Sequence, residues 1–91
     1  MLQLGTYQTR NGRKVILTGS QDREITLLTG DKATFKFFQG TIYNADGLTP
    51  DSAYEWVKSE VPRTLGEFVQ PHTGKPAGQT TLKDLVTFVG S

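Results

Sequence analysis

Asn11-Gly12 is the pair of residues that most narrows what this chain can become. Both accept positive φ, so together they suit the two central positions of a type I′ turn, whose twist matches that of antiparallel strands. A two-residue loop sets Arg10 against Arg13, Gln8 against Val15, Tyr7 against Ile16 and Thr6 against Leu17. Leu4, Val15 and Leu17 then share one face, and Tyr7 and Ile16 share the other. Apolar groups on both faces fit a strand pair bent into a small barrel.

Turn chemistry recurs along the chain. Residues 19–23 read as a polar turn, 24–28 as a short strand and 29–32 as a second turn. The stretch 33–43 is the most β-like, with Ala33, Phe35 and Phe37 on one face and Thr34, Lys36 and Phe38 on the other. Gly40 interrupts it, which predicts a bulge or sharp bend. Asn44-Ala45-Asp46-Gly47 closes that strand.

Two segments carry two readings each. Thr49 as N-cap, Pro50 at the first helical position and Asp51 in the first turn open a helix from 50 to about 60. Ser52, Tyr54, Trp56 and Lys58 form one face of a competing strand, but the capping signal favours the helix. In the tail, Thr81 and Asp84 resemble a capping box before Leu82, Leu85, Val86 and Val89 at helical spacing. Yet 85–89 is also a β-branched, aromatic run fit for a closing strand. Between them, 63–69 can form another strand, and 71–79 is a flexible Pro/Gly-rich loop. The resulting expectation is a mainly β single domain over 1–91. It is a bent sheet or SH3-like barrel of five to six strands, with one short helix after Thr49 as the variant.

Composition then removes chemistries. The chain is 35% hydrophobic and 21% charged with net charge +1, a globular profile. Its longest apolar run, Val15-Ile16-Leu17, is far short of the ~20 residues that span a bilayer. Without Cys there is no thiolate nucleophile, disulfide or Cys-ligated zinc, and His72 alone cannot build a paired-His metal site. No complete phosphate-loop or dinucleotide-binding motif occurs; in Thr73-Gly74-Lys75-Pro76 a proline holds the magnesium-ligand position. No catalytic residue, cofactor or metal is expected. Met1-Leu2-Gln3-Leu4-Gly5 lacks the charged region and apolar stretch of a secretory signal, so the expected compartment is the cytoplasm.

The opening Tyr7-x-Thr9-Arg10-Asn11-Gly12-Arg13-Lys14-Val15 resembles small accessory proteins of tailed bacteriophages, which often begin Tyr-x-Thr-Arg-Asp-Gly-Arg-Lys. Gly40-Thr41-Ile42, Trp56 and Asp84-Leu85-Val86 follow in the family's order. The chain departs from that pattern at 57–62, where the family has an Asp-Gly turn. The resemblance implies a phage origin, the bacterial cytoplasm and β structure in both double-valued segments. It implies no catalytic mechanism.

What remains is contact chemistry. Arg10, Arg13 and Lys14 cluster at one hairpin tip and are candidates for polar rim contacts. Tyr43, Tyr54, Trp56 and Arg63 are candidate anchors, since amphipathic rings and arginines concentrate in interfaces; Trp56 serves equally as a core anchor. The expected function is binding and inhibition of a bacterial host protein. The alternative is a sponge for a nucleotide signalling molecule, with the basic tip opposite a stacking tyrosine. Nucleic-acid binding ranks below both, because a pI of 8.0 falls short of a basic footprint. So small a core also leaves room for a homodimer through an exposed edge strand.

Overall fold

A computed structural model describes residues 2–59, 62–76 and 81–90. Seven strands follow in chain order: β1 (Gly5–Thr9), β2 (Lys14–Thr26), β3 (Lys32–Tyr43), β4 (Pro50–Lys58), β5 (Gly66–Gln70), β6 (Lys75–Pro76) and β7 (Leu85–Gly90). Neighbours run β4-β3-β2-β1-β7-β5, and β5 returns to β4. Six antiparallel strands therefore close on themselves, while β6 pairs with β5 alone. This is the small mainly β barrel that the turn spacing predicts.

The first hairpin corrects the predicted register by one residue. Tyr7 opposes Val15 and Gly5 opposes Leu17. The loop is three residues long: Thr9 N donates to the Arg13 carbonyl at 2.8 Å, Gly12 N donates to the Thr9 carbonyl at 2.9 Å, and Gly12 takes φ 83°. That is a type I turn followed by a left-handed glycine bulge. Thr9 decides it, because its buried hydroxyl accepts from Arg13 N at 3.0 Å. The slip moves Tyr7 onto the face of Val15 and Leu17, where all three are buried.

Pro50–Lys58 is a strand and not a helix; no helix occurs among the described residues. Asp46 accepts hydrogen bonds from Thr49 N and Thr49 Oγ1, so Thr49 closes the β3–β4 turn instead of capping a helix. Tertiary burial decides against the local signal. An N-cap contributes about 1 kcal/mol, whereas burying Trp56 and Val57 on opposite faces is worth about 1.5–3 kcal/mol each. Trp56 opposes Phe38 in a cluster with Leu2, Tyr7, Val15, Leu17, Ile42, Phe68 and Leu85. Val57 opposes Phe37 in a smaller cluster with Val69, against which Ile25 packs. The adjacent Phe37 and Phe38 thus serve separate cores.

The tail likewise resolves to strand β7. The Thr81–Asp84 contact of the capping box does form, with Thr81 N and Oγ1 donating to the carboxylate at 3.1 and 2.8 Å, but it shapes a turn leading into β7. The flexible loop expected over 71–79 begins as a turn in which Gly74 N donates to the Gln70 carbonyl at 2.8 Å; residues 77–79 lie outside the described residues.

Residues 19–23, expected as a turn, continue β2 without a break. A bulge at Thr18 lies where the register steps from Leu17↔Gly40 to Gly19↔Gln39. Gly40 is required there, since a Cβ on it would stand 2.3 Å from the Ile16 carbonyl oxygen. Past this corner β2 outruns β1, and β3 outruns β4 beyond Phe37↔Val57. Residues 22–26 and 32–36 then form ladder pairs only with each other, as a ribbon about 17 Å long at ~3.4 Å per residue, with Ile25 packed back onto the Val57 cluster and residues 23–26 beside Thr73 and Gly74. This arm explains the elongated outline of 43 × 24 × 23 Å.

Candidate functional site

The hairpin-tip cations do not act as one patch. Arg10 turns one way: Nη2 donates to Thr64 Oγ1 at 2.9 Å, Nε to the Thr81 carbonyl at 3.2 Å, and Asp84 lies 3.5 Å from the same Nη2. Asp84 is itself buried, and it also accepts from Phe68 N at 3.0 Å. Arg13 turns the other way. Its Nε donates to the Tyr43 carbonyl at 2.8 Å, and Nη2 donates to Asn44 Oδ1 at 3.3 Å and Asp51 at 2.7 Å. Both guanidinium groups are engaged internally, tying the β1–β2 tip to the loop before β7 and to the β3–β4 turn. Their acceptors lie 30 to 71 residues away in the chain, out of reach of any local motif.

Around Arg13 a built surface remains. Lys14 Nζ stands 4.3 Å from the centroid of the half-buried Tyr43 ring. Next to them the β3–β4 turn is locked by Asp46, whose carboxylate accepts from Leu48 N at 2.8 Å, Thr49 N at 2.9 Å and Thr49 Oγ1 at 2.7 Å. The Thr49 hydroxyl, then the Leu48 and Thr49 amides, hold the Asp46 carboxyl down to about 2. Leu48 projects from this braced turn with 81% of its surface open. Lys14, Tyr43 and Leu48 occupy the pole opposite the arm, because β2 begins and β3 ends there. Leu48 was missed in the sequence; its signal is a leucine inside Asp46-Gly47-Leu48-Thr49, where turn chemistry has no use for one.

The other candidates separate. Trp56 is fully buried and its Nε1 donates to the Lys83 carbonyl at 2.8 Å, so it is a core anchor and is closed to a partner. Tyr54 is half-buried, edge-on to Trp56 and Phe68 at 6.3 and 5.1 Å, with Lys83 Nζ 5.4 Å from its ring. It borders a shallow wall pocket of about 470 Å³ with Thr18, Gln39, Ala53, Glu55 and Val69. Arg63 is exposed and takes φ 65°, a left-handed position in the turn before Thr64. Among the phenylalanines, Phe37, Phe38 and Phe68 are buried in the core, while Phe35 and Phe88 are exposed.

The arm is the second feature missed. Its tip carries Leu27 and the fully exposed Leu28, at 109% of the reference surface. At its root lies a groove of about 570 Å³ lined by Leu2, Leu4, Phe35, Phe38 and Val57, with Lys36 and Lys58 beside it. Arg23 braces that root, forming a two-pronged ion pair with Glu55 while lying 4.8 Å from the Phe37 ring.

Among the described residues no three of His, Asp and Glu converge as a metal-holding group, and no helix is long and apolar enough to cross a membrane. No family model, curated protein or solved structure matches the chain.

Proposed function

We propose that this chain is a phage accessory protein that binds and inhibits a bacterial host protein in the bacterial cytoplasm, meeting it with the pole formed by Lys14, Tyr43 and Leu48. The phage assignment rests on the resemblance of residues 7–15. The binding reading rests on one observation: Leu48 is held out to solvent by a turn that Asp46 and Arg13 brace from both sides. An apolar anchor already fixed in place loses little conformational entropy on association, and a polar rim around it suits an interface hot spot. The nucleotide-sponge reading stands second, because the Arg10 and Arg13 guanidinium groups on which it leaned are occupied by internal acceptors.

The test is affinity capture from bacterial lysate in parallel with Leu48→Glu and Lys14→Glu. A specific host protein should be retained by the wild type, lose activity when bound, and bind each variant at least tenfold more weakly, about 1.4 kcal/mol. Both variants should melt as the wild type does. Equal capture by Leu48→Glu sinks the assignment of this pole. A wild type that inhibits no captured protein, yet shifts its melting point with a nucleotide, would favour the sponge.

A further inference from the structure

The arm poses a separate question. A two-stranded ribbon is marginal in water by itself, yet this one also ends in Leu27 and a wholly exposed Leu28. We infer that a second copy of this chain covers that tip: the tip of one arm seats in the groove at the root of the other, and a two-fold axis repeats the contact.

Two observations select this occupant. The first is geometry. The groove borders Thr34, Phe35 and Lys36 of the arm itself, so tip and groove lie along the same arm. Two arms laid antiparallel therefore bring both tips to both roots at once, the self-complementary arrangement of a two-fold dimer. The second is charge. The tip turn bears the exposed Asp31, and the groove it enters is flanked by Lys36.

Edge-to-edge pairing of the arms is the competing way to join two copies. A two-fold centred on Thr34 would set Lys32 against Lys36 of the other copy, a like-charge contact that opposes such a ladder. Side chains seated in a groove avoid it. The contact does not rest on the host-protein reading, since it uses the opposite end of the molecule and is measured on the purified chain alone.

Sedimentation velocity over a wide concentration range tests the inference. Wild type should pass from the 10.0 kDa chain to twice that mass. Leu28→Glu should raise the dissociation constant at least tenfold with no change in melting temperature. Asp31→Lys should weaken association similarly, and Lys36→Asp in the same chain should restore it. A wild type monomeric at every concentration overturns the inference, as does a dimer indifferent to Leu28→Glu. Failure of Lys36→Asp to rescue overturns the tip-to-root docking.

Discussion

Strands β2 and β3 each live in two environments. Over 15–17 and 37–42 they have ladder partners on both sides, and their inward side chains, Val15, Leu17, Phe38 and Ile42, are buried. Over 22–26 and 32–36 the same strands pair only with each other, and Leu27, Leu28 and Phe35 face water. The backbone is β throughout. What changes is the number of layers that cover it, and hence what a substitution should do. In the barrel, side chains are held by packing on every side; on the arm, stability comes from the ladder, the Arg23–Glu55 brace at its root and the one-sided packing of Ile25.

The strongest attempt to break this contrast is Trp56→Ala. Loss of that fully buried ring and its hydrogen bond to Lys83 should cost about 3–5 kcal/mol, enough to unfold much of a domain this small at 25 °C, as read by urea denaturation. A cost below ~1 kcal/mol would mean that the barrel core is not the source of stability. Gly40→Ala probes the corner where barrel becomes arm. With the Ile16 carbonyl in the way, the strand must shift, at about 1–3 kcal/mol. Its amide-exchange losses should spread along both β2 and β3 from residue 17 outwards.

The smallest effect separates the two turns at the ends of β3. Asp46 has a folded-state carboxyl lowered to about 2, so its contribution is present above the unfolded value of 3.8 and is lost as pH falls through about 2. Between those values, protonation should loosen the 44–49 turn. The melting temperature of Asp46→Asn should consequently decline less with acid than that of the wild type. Parallel acid limbs in the two proteins would contradict the lock.

How much of this was legible follows from the range of the interactions. Asn11-Gly12 and Gly40 announce a hairpin and a corner because backbone geometry at those positions is local. The register of the hairpin was not legible, since a Thr9 hydroxyl and the burial of Tyr7 choose between two loops one residue apart. Thr49-Pro50-Asp51 has the residues of a helix cap but caps nothing: Asp46 takes the Thr49 amide and hydroxyl, and Phe37 and Phe38 wait on β3 for Trp56 and Val57. The arm hid in Ser20-Gln21-Asp22-Arg23, which looks like a turn because neither face of a solvated ribbon needs apolar residues. Of the candidate site, Lys14 and Tyr43 do meet. Arg10 and Arg13 part company, and Leu48 becomes visible only once its turn is folded.

β5 and β7 share a single residue pair, Gly66↔Leu85, beside which Leu65 N donates to the Leu85 carbonyl at 2.7 Å and the Asp84 carboxylate takes Phe68 N. The hoop is thus continuous by one rung and a clasp. Such a ring need not melt in order to open: releasing the clasp lets β7 swing on β1 while the five remaining strands keep their ladders. The slowest-exchanging amides should therefore sit on β2 and β3, and the earliest breach should run along the Gly66–Leu85 seam.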